Sequence, residues 1–383
     1  MSEHGEGTRE VVPSTEVELA LSVPSEQGRP TRGKLRRNRR FSDSGEIQSR
    51  LPSSDSPQSR IVSARGEPSL HHQVLDARGS EAPITLEQAI DRIVCGDSAS
   101  VLSRLPKEFV ALAVTSPPYW NLVDYGVNGQ IGLGSYDHYR DQLKHIWRGL
   151  ARVLRPNGKF ALNVPLMPIR KEVSEKYFGK THTRILLDFY ADLRQDILAE
   201  TDLIAYGLFV WEKQTTEKMF GSYPYPPNLY ERNFIEFIAV FVKPGPPPKV
   251  PEAAKKGARL TQKQWMDLTS QIWWMYPENV GRAEGHPAPF PEALPNRLIN
   301  MYTFPRCPAV DFEGDVVLDP FSGWGTTDVA AKRCGRRHIG VDLSTSFCNH
   351  ATVRLAKTPV SEKQVILSGE RPSKGKSGQV VFQ

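Results

Sequence analysis

Two short segments of this 383-residue chain carry residue types whose spacing could do chemistry. The first is Thr115-Ser-Pro-Pro-Tyr-Trp120, which follows the apolar run Phe109–Val114. Two successive prolines fix the backbone and remove two donors, so the carbonyl oxygens of the turn are left to accept. A rigid loop with a hydroxyl, such carbonyls and an aromatic ring suits a planar ligand bearing an amino group. The oxygens take the amino hydrogens and the ring stacks on the ligand face. The same residues would also serve as a proline turn capping a strand, with Tyr119 and Trp120 packed inside. The second segment is Asp319-Pro-Phe-Ser-Gly-Trp-Gly-Thr-Thr327, delivered by Asp315–Asp319 and followed by a helical stretch. Gly323 and Gly325 allow a tight turn and a close approach to a ligand, with amides at a helix N-terminus facing an anionic group. Fifteen residues past Thr327 comes Asp342, an acid at the end of the next strand, placed to accept from ribose hydroxyls. Any tight strand-to-helix turn can show Gly-x-Gly, so the spacing gains weight only in combination. No Gly-Lys-Ser/Thr follows, which argues against a phosphate-cradling loop.

These segments need a scaffold, and residues 81–360 supply the pattern for one. Strands are expected at Arg92–Asp97, Phe109–Val114, Lys159–Val164, Leu208–Trp211, Phe234–Val242, Asp315–Asp319 and His338–Asp342. Helices are expected at Ser98–Leu105, Tyr136–Leu154, Thr183–Glu200 and Thr327–Cys334; in the second, Tyr139, Leu143, Ile146, Leu150 and Val153 recur at near-helical spacing. Arg155-Pro-Asn-Gly158 reads as a turn. Strands alternating with helices imply an α/β fold with a mostly parallel sheet. After the Pro-rich linker Pro244–Pro251, the Trp-rich stretch Trp265–Tyr276 reads as an insertion outside that sheet.

The flanks differ. Residues 1–80 hold one aromatic, Phe41, among many Ser, Pro, Gly, Arg and Glu, and are expected to be disordered. Within them Arg29–Arg40 carries seven basic residues, either an arm for phosphates or part of a solvated tail with 12 basic against 11 acidic residues. Residues 361–383 read as a polar C-terminal tail. Overall, Lys+Arg 49 against Asp+Glu 43 gives +6, a mildly basic balance compatible with an anionic partner. Cys95, Cys307, Cys334 and Cys348 are scattered, without Cys-x-x-Cys or paired His spacing, so neither a disulfide framework nor a metal is expected. The apolar runs are far shorter than the roughly 20 residues needed to cross a bilayer, and no secretory signal follows Met1. A cytoplasmic protein with no membrane partner is expected.

In their order along the chain, the two segments resemble the amino-methyltransferases that modify DNA bases using S-adenosyl-L-methionine. In that family Phe-x-Gly-x-Gly binds the methionine end of the cofactor and (Asp/Asn/Ser)-Pro-Pro-(Tyr/Phe) is the catalytic loop. Ser-Pro-Pro-Tyr in front, with the cofactor loop behind, is the arrangement called the β class. Gly96-Asp97, Arg155–Gly158, Trp211-Glu-Lys213 and His286-Pro-Ala-Pro-Phe290 match further motifs, so the resemblance spans roughly residues 91–357. It implies a Rossmann-like methyltransferase fold with helices on both faces of the sheet. It also implies a catalytic loop of Ser116, Pro117, Pro118 and Tyr119. Asp319, Phe321, Ser322, Gly323, Gly325, Thr326 and Thr327 would line the methionine portion of the cofactor. Asp342 would hold the ribose, Asp97 would sit near the adenine, and His286, Pro287 and Phe290 would close the pocket. Trp324 departs from the small residue usual between the two glycines, and its bulk is expected to point outward from the turn.

Serine at the first loop position usually accompanies cytosine-N4 chemistry in this family, and Asp or Asn adenine-N6. The resemblance therefore implies a cytosine-N4 methyltransferase acting on double-stranded DNA after base flipping. An adenine-N6 enzyme of the same class is the alternative, and an inactive nucleic-acid binder a remoter one. A cognate restriction endonuclease would be its functional partner, and the bacterial cytoplasm, at the nucleoid, its place. Residues 212–282 are the candidate target-recognition insertion, where Tyr223–Asn228 and Trp265–Tyr276 lie near Arg259, Lys263 and Arg282. The tryptophans fit a flap packed on the sheet equally well.

Overall fold

The run Val110–Thr115 is buried along its whole length, which a strand achieves only when both faces of its sheet are covered. The structure, a computed structural model, describes residues 74–120, 126–182, 184–213, 225–231, 233–277, 290–361, 364–369 and 381–382. Its strands in chain order are β1 (Leu75–Asp76), β2 (Arg92–Cys95), β3 (Val110–Thr115), β4 (Leu154–Pro165), β5 (Met167–Arg170), β6 (Arg184–Leu187), β7 (Ile204–Lys213) and β8 (Ile235–Val242). They continue with β9 (Ile272–Met275), β10 (Val316–Asp319), β11 (Arg337–Asp342), β12 (Ile366–Leu367) and β13 (Val381–Phe382). Nine of them form one sheet in the order β1-β2-β11-β10-β3-β4-β8-β7-β9. The pairs from β1 to β4 are parallel. β8 then runs antiparallel to both β4 and β7, and β9 lies parallel to β7.

Alternate residues of β3 belong to different cores. Ala113 packs with Leu143, Ile146 and Trp147 of the helix Tyr136–Val153 and with Leu193 of the helix Phe189–Glu200. Leu112 and Val114 pack with Leu294 and Leu298 of the helix Ala293–Tyr302 and with Ala330 of the helix Thr326–Arg333. Helices therefore cover both faces. The helix Tyr136–Val153 starts where Ser135 accepts from the His138 N–H, a cap worth about 1 kcal/mol. Its stripe Tyr139, Leu143, Ile146, Leu150 is fully buried. Since β3 and β10 are neighbours, with Leu112 opposite Val317 and Ala113 opposite Leu318, the loops leaving their carboxyl ends emerge side by side. Ligands bind at such ends in open α/β sheets.

Five expectations need correction. Thr183–Glu200 is not one helix: Arg184–Leu187 forms β6, paired antiparallel with β5, and the helix begins at Phe189. Asp188 accepts from the Ala191 N–H and sets that later start. The turn at Arg155–Gly158 lies inside β4, as an interruption between the pairs Val110–Leu154 and Leu112–Lys159, with Asn157 at φ 60°. The Trp-rich stretch Trp265–Tyr276 is not outside the sheet. It contributes β9, which closes the edge beside β7 with Trp273 stacked on Phe209 at 4.6 Å, while the strand expected at Phe234–Val242 stands as β8 between β4 and β7. At the amino-terminal flank, β1 adds a short edge strand beside β2, while residues 1–73, including Arg29–Arg40, lie outside the described residues. At the other flank, β12 pairs with β13 and Ile366 is buried. There Asn296 donates to the Val365 carbonyl and accepts from the Leu367 N–H, so this tail is partly built into the domain. Among the described residues no helix is long and apolar enough to cross a membrane.

One buried ion pair ties the β9 edge to the body. Arg297 and Asp267 are fully buried, with Nη1 2.5 Å from Oδ2, and the Arg297 guanidinium lies 4.6 Å from the centre of the Trp273 ring. Removing one partner of such a pair strands the other charge. Asp267→Ala should lower the unfolding free energy by about 3 kcal/mol in urea titrations. A loss below about 1 kcal/mol would mean the pair is dispensable.

Candidate active site

The two chemistry-bearing loops meet at one buried carboxyl group. Thr115, the last residue of β3, donates from Oγ1 to Asp319 Oδ1 at 2.7 Å. Thr327 donates from Oγ1 to Asp319 Oδ2 at 2.7 Å, and the Phe321 N–H reaches Oδ1 at 3.0 Å. The side chains of Thr115, Asp319 and Thr327 are shut off from solvent. Burial pushes the Asp319 carboxyl up to about 7, against the downward pull of these hydrogen bonds. Asp319 and Thr327 thus stand behind the wall of the cleft described next rather than in its lining. Gly325 does the same: at φ 75° it leads into the helix Thr326–Arg333, and a Cβ there would stand 2.9 Å from Ala351 Cβ.

In front of this joint lies a cleft that is partly open to solvent. Ser116, Pro117, Pro118 and Tyr119 of the first loop and Phe321, Ser322, Gly323 and Thr326 of the second line it. Asp97 and Asp342 also line it, as does Phe290, whereas His286 and Pro287 lie outside the described residues. Asp97 caps the helix Ser98–Arg104 by accepting from the Ser100 N–H at 2.9 Å. Asp342 accepts from the Gly323 N–H at 2.9 Å and the Ser344 N–H at 2.8 Å, and burial pushes its carboxyl up to about 6.

The glycine turn is braced from beneath. Ser322 donates from Oγ to Asp328 Oδ2 at 2.6 Å, and Asp328 Oδ1 lies 3.2 Å from His338 Nδ1. Gly340 passes so close that a Cβ would sit 2.6 Å from both Ser322 Oγ and Asp328 Oδ2. Trp324 leaves the turn away from the cleft lining and is buried there, stacked on His350 at 4.7 Å with 15° between the planes. The helix Thr345–Ala356 thus offers a flat partner that the expectation of an outward-pointing ring lacked.

In the first loop the two aromatics separate. Trp120 is buried, donates from Nε1 to the Gly134 carbonyl at 3.1 Å, and meets Tyr177 edge-on at 5.1 Å. Tyr119 lines the cleft. Ser116 donates from Oγ to the Asn163 carbonyl at 2.8 Å and accepts from Asn163 Nδ2 at 2.9 Å. Tyr139 donates to the Pro118 carbonyl at 2.8 Å and holds the loop from the helix side.

Sequence reasoning missed part of the lining. Leu343, Ser344 and Phe347 follow Asp342, where Ser344 caps the next helix; that strand-acid-cap pattern could have revealed them. Val127, Gly129, Gln130 and Ile131 lie on an irregular segment that gave no periodic signal. Two carboxylates, several hydroxyls and the rings of Phe290, Phe321 and Phe347 around one cleft suit a cationic ligand with a planar ring and a hydroxylated sugar. Among the described residues no group of three His, Cys, Asp or Glu could hold a metal ion.

The model of the N6/N4 methyltransferase family, described as DNA methylase, matches residues 110–353. The type II methyltransferase M.MthZI of Methanothermobacter thermautotrophicus is 29% identical over 304 residues, 72% of this chain and 79% of that protein. The type II methyltransferase M.MjaI of Methanocaldococcus jannaschii is 28% identical over 67% of this chain and 88% of its own length. Among solved structures, a candidate DNA modification methylase of Thermus thermophilus, complexed with S-adenosyl-L-methionine, is 30% identical with a TM-score of 0.54. That match covers 70% of this chain and 95% of that one.

The elevated Asp319 carboxyl has a consequence for stability. Between its ordinary value of 3.8 and about 7 the folded chain holds a proton that the unfolded chain has released, so this group's contribution falls as pH rises across that window. Asp319→Asn removes the dependence. The stability of the wild type relative to the variant should therefore decline from about pH 4.5 to about pH 7.5 in urea titrations. A difference that stays flat or grows would show that the carboxyl titrates normally.

Proposed function

The chain belongs to the N6/N4 DNA methylase family, and on that premise we propose that it methylates the exocyclic N4 amino group of cytosine in duplex DNA. S-adenosyl-L-methionine is the methyl donor, and the cleft's carboxylates, hydroxyls and aromatic faces fit it. In this reading Asp342 takes the ribose hydroxyls, Asp97 the adenine side, and Phe290, Phe321 and Gly323 the methionine portion. His286 and Pro287 keep the closing role the family pattern gives them. When bound, the cofactor supplies an electrophilic methyl carbon on a sulfonium.

The position of Ser116 carries the proposal. It lines the same cleft as Phe321 and Gly323, from the carboxyl end of the neighbouring strand. An exocyclic amino nitrogen is a poor nucleophile because its lone pair is delocalised into the ring. Ser116 Oγ and the Pro117 carbonyl accept its hydrogens, favour a pyramidal nitrogen and return the lone pair to it. The rest is in-line positioning within preorganised surroundings. Tyr119 stacks on the flipped base and offsets part of the few kcal/mol of extrusion. None of the four cysteines lines the cleft, which disfavours methylation at ring carbon 5.

Serine at the first loop position favours cytosine-N4 over adenine-N6, and the catalytic loop ahead of the cofactor loop favours the β class. The target is read by the exposed side chains of Tyr225, Arg259, Lys263 and Trp265, from the stretch around β9. Relatives such as M.MthZI and M.MjaI are type II methyltransferases, which favours a type II role here. A cognate endonuclease as functional partner and the bacterial cytoplasm as its place complete the proposal.

Incubation with labelled S-adenosyl-L-methionine and mixed-sequence duplex DNA, then digestion to nucleosides, should yield labelled N4-methylcytosine. Ser116→Ala should lower kcat by about 100-fold, the cost of one preorganised hydrogen bond, with cofactor affinity within about twofold. Labelled N6-methyladenine would overturn the base assignment, and no labelled nucleoside would overturn the activity.

A further inference from the structure

A row of polar side chains crosses the sheet behind Ser116, and local sequence patterns say nothing of it. The register puts Thr115 opposite Leu162 on β4, so Ser116 comes beside Asn163. On the far side of β4, Pro165 faces Glu236 of β8, and Glu236 in turn faces Trp211 of β7. Three strand crossings thus align Ser116, Asn163, Glu236 and Lys213. Asn163 and Glu236 are buried. Asn163 Nδ2 donates to Glu236 Oε2 at 2.6 Å as well as to Ser116 Oγ, and Lys213 Nζ lies 3.1 Å from Glu236 Oε1.

We infer that Glu236 is a positioning residue of the methyl-transfer site, which fixes the Asn163 amide as a donor and so keeps the Ser116 hydroxyl an acceptor toward the target amino group. The inference rests on the role proposed for Ser116. A carboxylate only accepts, so it must face the NH2 end of the amide. Asn163 Oδ1 has no partner among the described residues, so the orientation is set entirely from the nitrogen side. Ser116 has one proton and two lone pairs. The proton goes to the Asn163 carbonyl and one lone pair takes Asn163 Nδ2, which leaves one lone pair for an incoming N–H. Tyr119 lies 3.1 Å from Ser116 Oγ, but its hydroxyl donates to Glu236 Oε2 at 3.4 Å, the charged and therefore stronger acceptor. Lys213 balances the buried carboxylate from the other side. With a neutral amide at 236, the donors of Lys213 and Asn163 compete for one oxygen. Asn163 can then turn its Oδ1 to Ser116, which spends the hydroxyl proton there and loses its fixed geometry.

The test is Glu236→Gln in the full chain, with Asn163→Leu as a second variant that removes the amide but keeps the site filled. Methyl transfer to duplex DNA is measured at saturating cofactor, and S-adenosyl-L-methionine affinity separately by equilibrium binding. The expected result is a fall in kcat of about 10- to 100-fold in both variants, with cofactor Kd and DNA KM within about twofold. Wild-type turnover in either folded variant would overturn the inference. Loss of folding, or of cofactor binding, in both variants would make the row structural and overturn it as well. A wild type that methylates no DNA would defeat the functional reading and the inference together. An adenine product would revise the base alone, because the row serves either amino group.

Discussion

One buried carboxyl group sets the spacing between the two halves of the site. Asp319 receives Thr115 from the end of β3 and Thr327 from the start of the following helix, each at 2.7 Å. Parallel neighbours in a sheet bring their carboxyl ends together but leave the loops beyond them undetermined. The three-residue joint supplies the missing constraint, because neither loop can shift without abandoning a buried acceptor. Leaving a buried polar group without its partner costs about 1–3 kcal/mol, which makes this geometry stiff.

The ends of β10 and β11 show how position assigns different work to the same residue type. Asp319 and Asp342 occupy adjacent strand termini, and both carboxyls are pushed upward by burial. Asp319 is enclosed by two hydroxyls and an amide and serves the frame. Asp342 binds two backbone amides on one side and faces the cleft on the other. Below them, Ser322, Asp328 and His338 form a second buried chain that admits nothing larger than glycine at position 340. The cleft is therefore braced along its glycine turn. Its wall at Val127–Ile131 is irregular loop, a suitable place for variation in what enters.

Much of this was legible in the sequence because the relevant signals are local. Five of the seven expected strands begin within two residues of their expected starts, and the two glycine- and proline-rich turns fall at strand ends as their composition requires. What was not legible depends on partners far along the chain. Trp324 looked too bulky for its turn until His350 stacked on it. Trp273 read as an outlying aromatic until it stacked on Phe209 at the sheet edge. Asp319 and Thr327 read as cofactor contacts because a motif gives identities and order, not the direction in which a side chain leaves its strand. Glu236 carried no signal at all: it lies 73 positions from Asn163 and sits in an ordinary apolar strand.

The Asp319 joint ties the Ser-Pro-Pro-Tyr loop to the glycine-rich loop through Thr115 and Thr327. Thr115→Val keeps the shape of the buried side chain and deletes only the hydroxyl that ties β3 to Asp319. The decisive measurement is the kcat for methyl transfer to duplex DNA by this variant at saturating S-adenosyl-L-methionine. A fall of about tenfold or more with the cofactor Kd nearly unchanged is expected, since in the proposed function this loop serves the base and not the donor. Turnover equal to the wild type would show that the loops keep their register without the joint.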